Sequence, residues 1–112
     1  MSRALTLLLS AAISIAVLPS AKAAPSGAEL FTRKGCIGCH VLKGHEGAVG
    51  TMGPDLSKIG ATRDRAFLLA WIRDPQAMAP GSRMPTLGLT QVEAELLADY
   101  LLSERPRKGK RR

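Results

Sequence analysis

Polar and apolar positions alternate with a helical period in three parts of this chain and with no sheet period anywhere. The first begins at Ser26, with Glu29 three residues later in the spacing of a capping box. Leu30 and Phe31 give this segment its apolar face, and Gly35 marks its stop. The second covers residues 64–73, where Phe67, Leu68, Trp71 and Ile72 fall on one helix face ahead of Pro75. The third opens at Thr90, again with a Glu three positions on, at Glu93. Its buried stripe is read as Val92, Leu96, Leu97, Tyr100 and Leu101, with Pro106 as the stop. Residues 43–53 and 75–89 are rich in Gly and Pro and read as loops. The pattern predicts an all-α fold of three to four short helices. Loops of that length are uncommon in a compact domain unless something packs against them.

The N-terminal segment has a different character. Arg3 precedes an apolar run over residues 4–18, and Ala21 and Ala23 stand where a signal peptidase reads small side chains. The run of 15 residues is shorter than the roughly 20 of a spanning helix. Residues 1–23 are therefore expected to be a secretory signal cleaved after Ala23, leaving no transmembrane anchor and placing the mature chain in the periplasm. Retention of this segment as a membrane anchor is the alternative. The mature chain would have 89 residues, too few for a hydrophobic core to give ample stability without a staple or a cofactor.

Charge changes the picture only at the other end. The whole chain carries 16 basic and 9 acidic residues, a net of +7. Six of the basic residues lie in positions 105–112, whereas residues 24–104 hold 8 basic and 9 acidic groups, a net of −1. The basic excess thus belongs to a tail, read as a disordered solvated end. Its functional alternative is salt-sensitive attraction to acidic partner surfaces or weak contact with anionic lipid. Aromatics are few and no basic stripe runs through the body, so nucleic acid is not an expected partner.

The chemistry concentrates in Cys36-Ile37-Gly38-Cys39-His40. C-x-x-C-H is the attachment signal of c-type haem. The two thiols add to the porphyrin vinyl groups as thioethers, and His40 is thereby placed under the iron as its proximal ligand. Three other readings use the same residues. A disulfide between Cys36 and Cys39 would not need His40. A thioredoxin-type pair expects a βαβ setting, which the polarity pattern lacks. Zinc could recruit Cys36, Cys39, His40 and His45, although adjacent ligands rarely reach one tetrahedral ion.

From residue 27 to residue 103 the sequence resembles a short class I cytochrome c. The parts come in the family's order: Gly27 and Phe31, the haem motif, Gly53-Pro54-Asp55-Leu56, an apolar helix with Trp71, Met84-Pro85, and a last helix with Leu97 and Tyr100. The resemblance implies the cytochrome c fold, with residues 24–104 wrapped around one covalent haem c. It also implies a crossing of the first and last helices through Gly27, Phe31, Leu97 and Tyr100. It places the distal iron ligand at Met84, with Met78 in the same loop as the rival; Met52 and His45 are weaker candidates, and any of these methionines could instead be loop packing. It gives the Pro54 carbonyl the second ring N–H of His40, against an ordinary turn proline. Arg63 and Trp71 are candidates for the haem propionates, with a solvated charge and a core aromatic as the plain alternatives.

The function so implied is single-electron transfer between redox partners in the periplasm or a respiratory chain, by a monomer that is not itself an enzyme. The same chain would serve as the haem subunit of a dehydrogenase or oxidase complex. A five-coordinate haem that senses or reduces a small ligand would require that no methionine binds iron.

Overall fold

The structure is a computed structural model, and it describes residues 10–19 and 24–103. Residues 10–19 have no regular secondary structure. The ends of the N-terminal segment and the basic stretch 105–112 lie outside the described residues. Among those described, no helix is long and apolar enough to cross a membrane.

Among the described residues there are four α-helices, α1 (Gly27–Arg33), α2 (Arg65–Arg73), α3 (Pro75–Met78) and α4 (Gln91–Leu102), with 3₁₀ turns at Cys36–Gly38 and Ile59–Ala61. Side chains cap the N-terminus of each helix. The Ser26 hydroxyl accepts from Glu29 N–H at 3.1 Å, and Asp64 accepts from Phe67 N–H at 2.8 Å. At Thr90 the full reciprocal box forms, with Thr90 N–H donating to Glu93 at 3.0 Å and Glu93 N–H to Thr90 Oγ1 at 3.1 Å.

Two expectations need correction. Pro75 does not merely end α2. Asp74 leaves the helical conformation after α2 and its carboxylate caps Ala77 N–H, so Pro75 becomes the first residue of α3, where its missing N–H costs nothing. Val92 is 61 % exposed and not part of the buried stripe of α4. That stripe is Ala94, Leu97, Ala98 and Leu101, at i, i+3, i+4 and i+7. The two alanines are fully buried because α4 packs against both α1 and α2, and larger side chains would hold those helices apart.

The core joins α1, α2 and α4 through Leu30, Phe31, Leu68, Ile72, Leu97 and Leu101, with Leu42 and Ala48 added from the loop after the haem motif. At the α1–α4 crossing a Cβ on Gly27 would stand 2.5 Å from both Leu96 O and Tyr100 Cβ. Glycine is needed there for space. Ion pairs cross the same surfaces, Lys34 with Glu93 at 3.6 Å and Arg65 with Asp99 at 2.7 Å. The Arg65 pair holds the Asp99 carboxyl below its usual range, but exposed pairs of this kind contribute little to stability. The only β pairing among the described residues is an isolated bridge between Val41 and Val49.

Candidate haem site

The attachment motif sits directly beyond α1. Gly35 adopts φ +82°, a left-handed conformation that glycine takes without steric cost, and turns the chain into the 3₁₀ turn of Cys36–Gly38. Cys36 O accepts from Cys39 N–H at 3.2 Å and from His40 N–H at 3.0 Å, which winds the pentapeptide tightly. Neither cysteine is in a disulfide. Burial raises the pKa of the Cys36 thiol.

His40 is the one buried polar side chain among the described residues, at 8 % exposure. Its Nδ1 lies 2.8 Å from Pro54 O. A carbonyl only accepts, so Nδ1 carries the proton, and the neutral ring presents the lone pair of Nε2. That is the tautomer an iron ligand needs. The loop that brings Pro54 here is strapped to the motif: Gly53 N–H donates to Cys39 O at 2.7 Å and Leu56 N–H to Val41 O at 2.9 Å. Gly50 lies so close over Gly38 and Cys39 that a Cβ would collide with their backbone, and a Cβ on Gly53 would stand 2.5 Å from His40 Cε1.

The rival iron ligands are placed differently from one another. His45 hydrogen-bonds Thr32 Oγ1 through Nε2 at 2.7 Å and Tyr100 Oη through Nδ1 at 2.6 Å, and its ring lies 4.9 Å from that of Phe31. Both ring nitrogens are thereby engaged in tying the loop to α1 and α4. Met52 is 80 % exposed and Met78 41 % exposed. Met84 is half-buried, and its Sδ lies 3.2 Å from Trp71 Nε1. Phe67 stacks on Trp71 with centroids 5.9 Å apart, and the Arg63 guanidinium stands 4.5 Å from the Phe67 centroid.

Gln76 is a functional candidate that sequence reasoning missed. Its side-chain amide accepts from Gly81 N–H at 3.2 Å and donates to Ser82 O, closing the loop that carries Met84. No local signal marks an exposed glutamine in a four-residue helix as a loop clamp. The pairing exists only once α3 has formed.

The chemistry of this donor set fits haem c. Two free thiols three positions apart can form thioethers, and a histidine fixed as its Nδ1–H tautomer follows them. Comparison with known proteins decides the family. The cytochrome c family model matches residues 24–104. The chain belongs to the cytochrome c family.

Membership gives this cytochrome c a covalently bound haem c with iron, and Cys36 and Cys39 fit the attachment motif. Its helices agree with the all-α fold of the family. It is 34 % identical over 95 residues to cytochrome c oxidase subunit 2 of Alkalihalophilus pseudofirmus, covering 76 % of this chain and 27 % of that protein. It is 35 % identical over 81 residues to a subunit of the nitric oxide reductase of Stutzerimonas stutzeri, covering 67 % of this chain and 53 % of that protein. The cytochrome c thus spans about a quarter and about half the length of these two relatives. No solved structure matches it significantly. A cytochrome c domain is an electron carrier, and both relatives are subunits of oxidoreductase complexes.

Proposed function

We propose that this cytochrome c carries single electrons between protein redox partners on the outer side of the cytoplasmic membrane, with its iron held between His40 and Met84. The observation that carries the reading is the His40 Nδ1–H to Pro54 O bond, which leaves the Nε2 lone pair available to a metal directly after two unbridged thiols. Haem c supplies an iron that changes between ferric and ferrous. The chain supplies everything else. Cys36 and Cys39 tether the group, and Ile37, Leu56, Ile59 and Leu68 keep water from it. The Met84 thioether favours the ferrous state and raises the reduction potential. Holding the iron with both His40 and Met84 would leave no site open to a small ligand, which would suit electron transfer. The assignment of residues 1–23 as an export signal accords with this location, and so does the basic stretch 105–112 as a contact for acidic partner faces.

A second reading is favoured by the two relatives, each of which is part of a redox enzyme. In it the domain acts as the haem-bearing part of a larger complex, with the same ligands and the same one-electron role. Co-purification with a larger oxidoreductase would favour this reading, and isolation as a monomer would favour the free carrier.

The ligand assignment is tested with Met84→Ala. The far-red sulfur-to-iron charge-transfer band should vanish completely from the oxidised spectrum, and the potential should fall. A Met78→Ala protein should keep the band. Persistence of the band in Met84→Ala, or its loss in Met78→Ala, would move the ligand to the rival methionine.

A further inference from the structure

α3 is a single turn, yet it is firmly placed. Pro75 is its first residue and is fully buried, and the Asp74 carboxylate caps Ala77 N–H at 3.2 Å. The chain leaves α3 at Ala79, whose N–H donates to Pro75 O at 2.9 Å, and turns back at once. Ser82 N–H donates to Ala79 O at 3.0 Å, with Pro80 and Gly81 between them. Gly81 has φ +85°, the left-handed value that the second central position of a type II turn requires. Gly81 N–H and Ser82 O are both reached by Gln76. An N–H only donates and a carbonyl only accepts, so the amide has one orientation. Its Oε1 accepts from Gly81 N–H at 3.2 Å and its Nε2 donates to Ser82 O. Nε2 also lies 3.5 Å from Met84 O.

No residue of the segment 79–84 is buried, so core packing does not hold it shut. A segment with few buried apolar contacts opens locally at a free energy set by its few hydrogen bonds. Met84 N–H donates to Ser82 Oγ at 3.3 Å, which ties it to the same turn, and Pro85 beyond it has no N–H to give. We propose that Gln76 is a positioning residue whose amide, standing on the anchored turn of α3, keeps the segment 79–84 closed and so sets how often Met84 leaves the distal position. With the clamp released, that position is open to a small nitrogen ligand from solvent. With the clamp in place, the domain is restricted to electron transfer. Gln76 bonds the backbone of the loop and not the sulfur, so it governs the rate of opening and not the closed state. The inference rests on the assignment of Met84 as the distal ligand.

The test follows imidazole binding to the oxidised, haem-loaded protein at saturating imidazole, where the rate is that of Met84 departure. Gln76→Leu keeps the bulk of the side chain without its polar atoms, and the rate should rise about five- to thirtyfold, the factor for one to two net hydrogen bonds. Gln76→Glu has the same size but sets a carboxylate oxygen against Ser82 O, so it should open at least as fast as the leucine variant. Both should keep the far-red band at the wild-type energy before imidazole is added. Glu93→Ala, which removes the Thr90 capping box and the Lys34 pair, is the control for general loosening. Its denaturant midpoint should fall while its imidazole rate stays that of the wild type. A wild-type rate in either Gln76 variant overturns the proposal, and so does an equal rise in Glu93→Ala. A band lost or moved before imidazole is added also overturns it, since Gln76 would then shape the closed state. A wild type with no far-red band at all refutes the Met84 assignment itself, and this proposal with it.

Discussion

Changing Cys36 and Cys39 together to serine is expected to abolish covalent haem and, with it, stable folding of the domain. The four helices have 7, 9, 4 and 12 residues, each at or below the length at which an isolated helix is even marginal in water. They therefore depend on tertiary packing. The buried apolar set among the described residues is small, ten residues, and two of these belong to the loop that follows the attachment motif. Phe67, Leu56, Ile59 and Ile37 pack against this core but are only partly buried, so the core by itself hides a limited part of the chain's apolar surface. The double variant should give no haem-dependent staining on a denaturing gel. It should also lose a cooperative thermal transition above room temperature. Each single variant retains one thioether and should fall between. A double variant that melts like the wild type would show that the helices alone sustain the fold.

Gly53→Ala should have the next largest effect, by a different route. A Cβ at this position would lie 2.5 Å from His40 Cε1 and 2.8 Å from Nδ1, the same nitrogen that bonds Pro54 O at 2.8 Å. The buried ring has nowhere to go without breaking that bond. Overpacking costs about 1–3 kcal/mol, and loss of the hydrogen bond adds about 1 kcal/mol. Denaturant unfolding of the loaded protein should therefore show a loss of roughly 2–4 kcal/mol, with a lower yield of protein carrying haem. Gly38→Ala is the control from the same motif. Nothing lies within 4 Å of the Cβ it would add, so its unfolding midpoint should stay close to the wild type. Equal losses in the two variants would mean that the clash with His40 is not what makes Gly53 necessary.

The parts of this fold legible in the sequence are those fixed by neighbouring residues. Ser26 and Thr90 announce helix starts because a hydroxyl three residues ahead of a backbone N–H can cap it locally. The attachment pentapeptide is legible for the same reason, since its spacing is its chemistry. What depends on distant partners is not. Ala94 and Ala98 are fully buried, yet alanine carries little periodic signal, so the predicted stripe has Leu97 and Leu101 right but takes in the exposed Val92 and leaves out the two alanines. Pro75 reads as a stop and is also a start, a distinction made by the Asp74 side chain folding back onto Ala77. His45 looks like a spare ligand until Thr32 and Tyr100, 13 and 55 residues away, claim its two nitrogens. Trp71 is legible as an aromatic on an apolar face. Its pairing with Met84 across 13 residues is set by α3 and the clamp of Gln76.

The most direct test of the account is an oxidised-minus-reduced visible spectrum of the purified protein, extended into the far red. The account predicts a low-spin c-type spectrum that survives denaturing removal of free haem, with a sulfur-to-iron band in the oxidised form. Haem without that band would contradict ligation by a methionine, and a protein without haem would contradict the account as a whole.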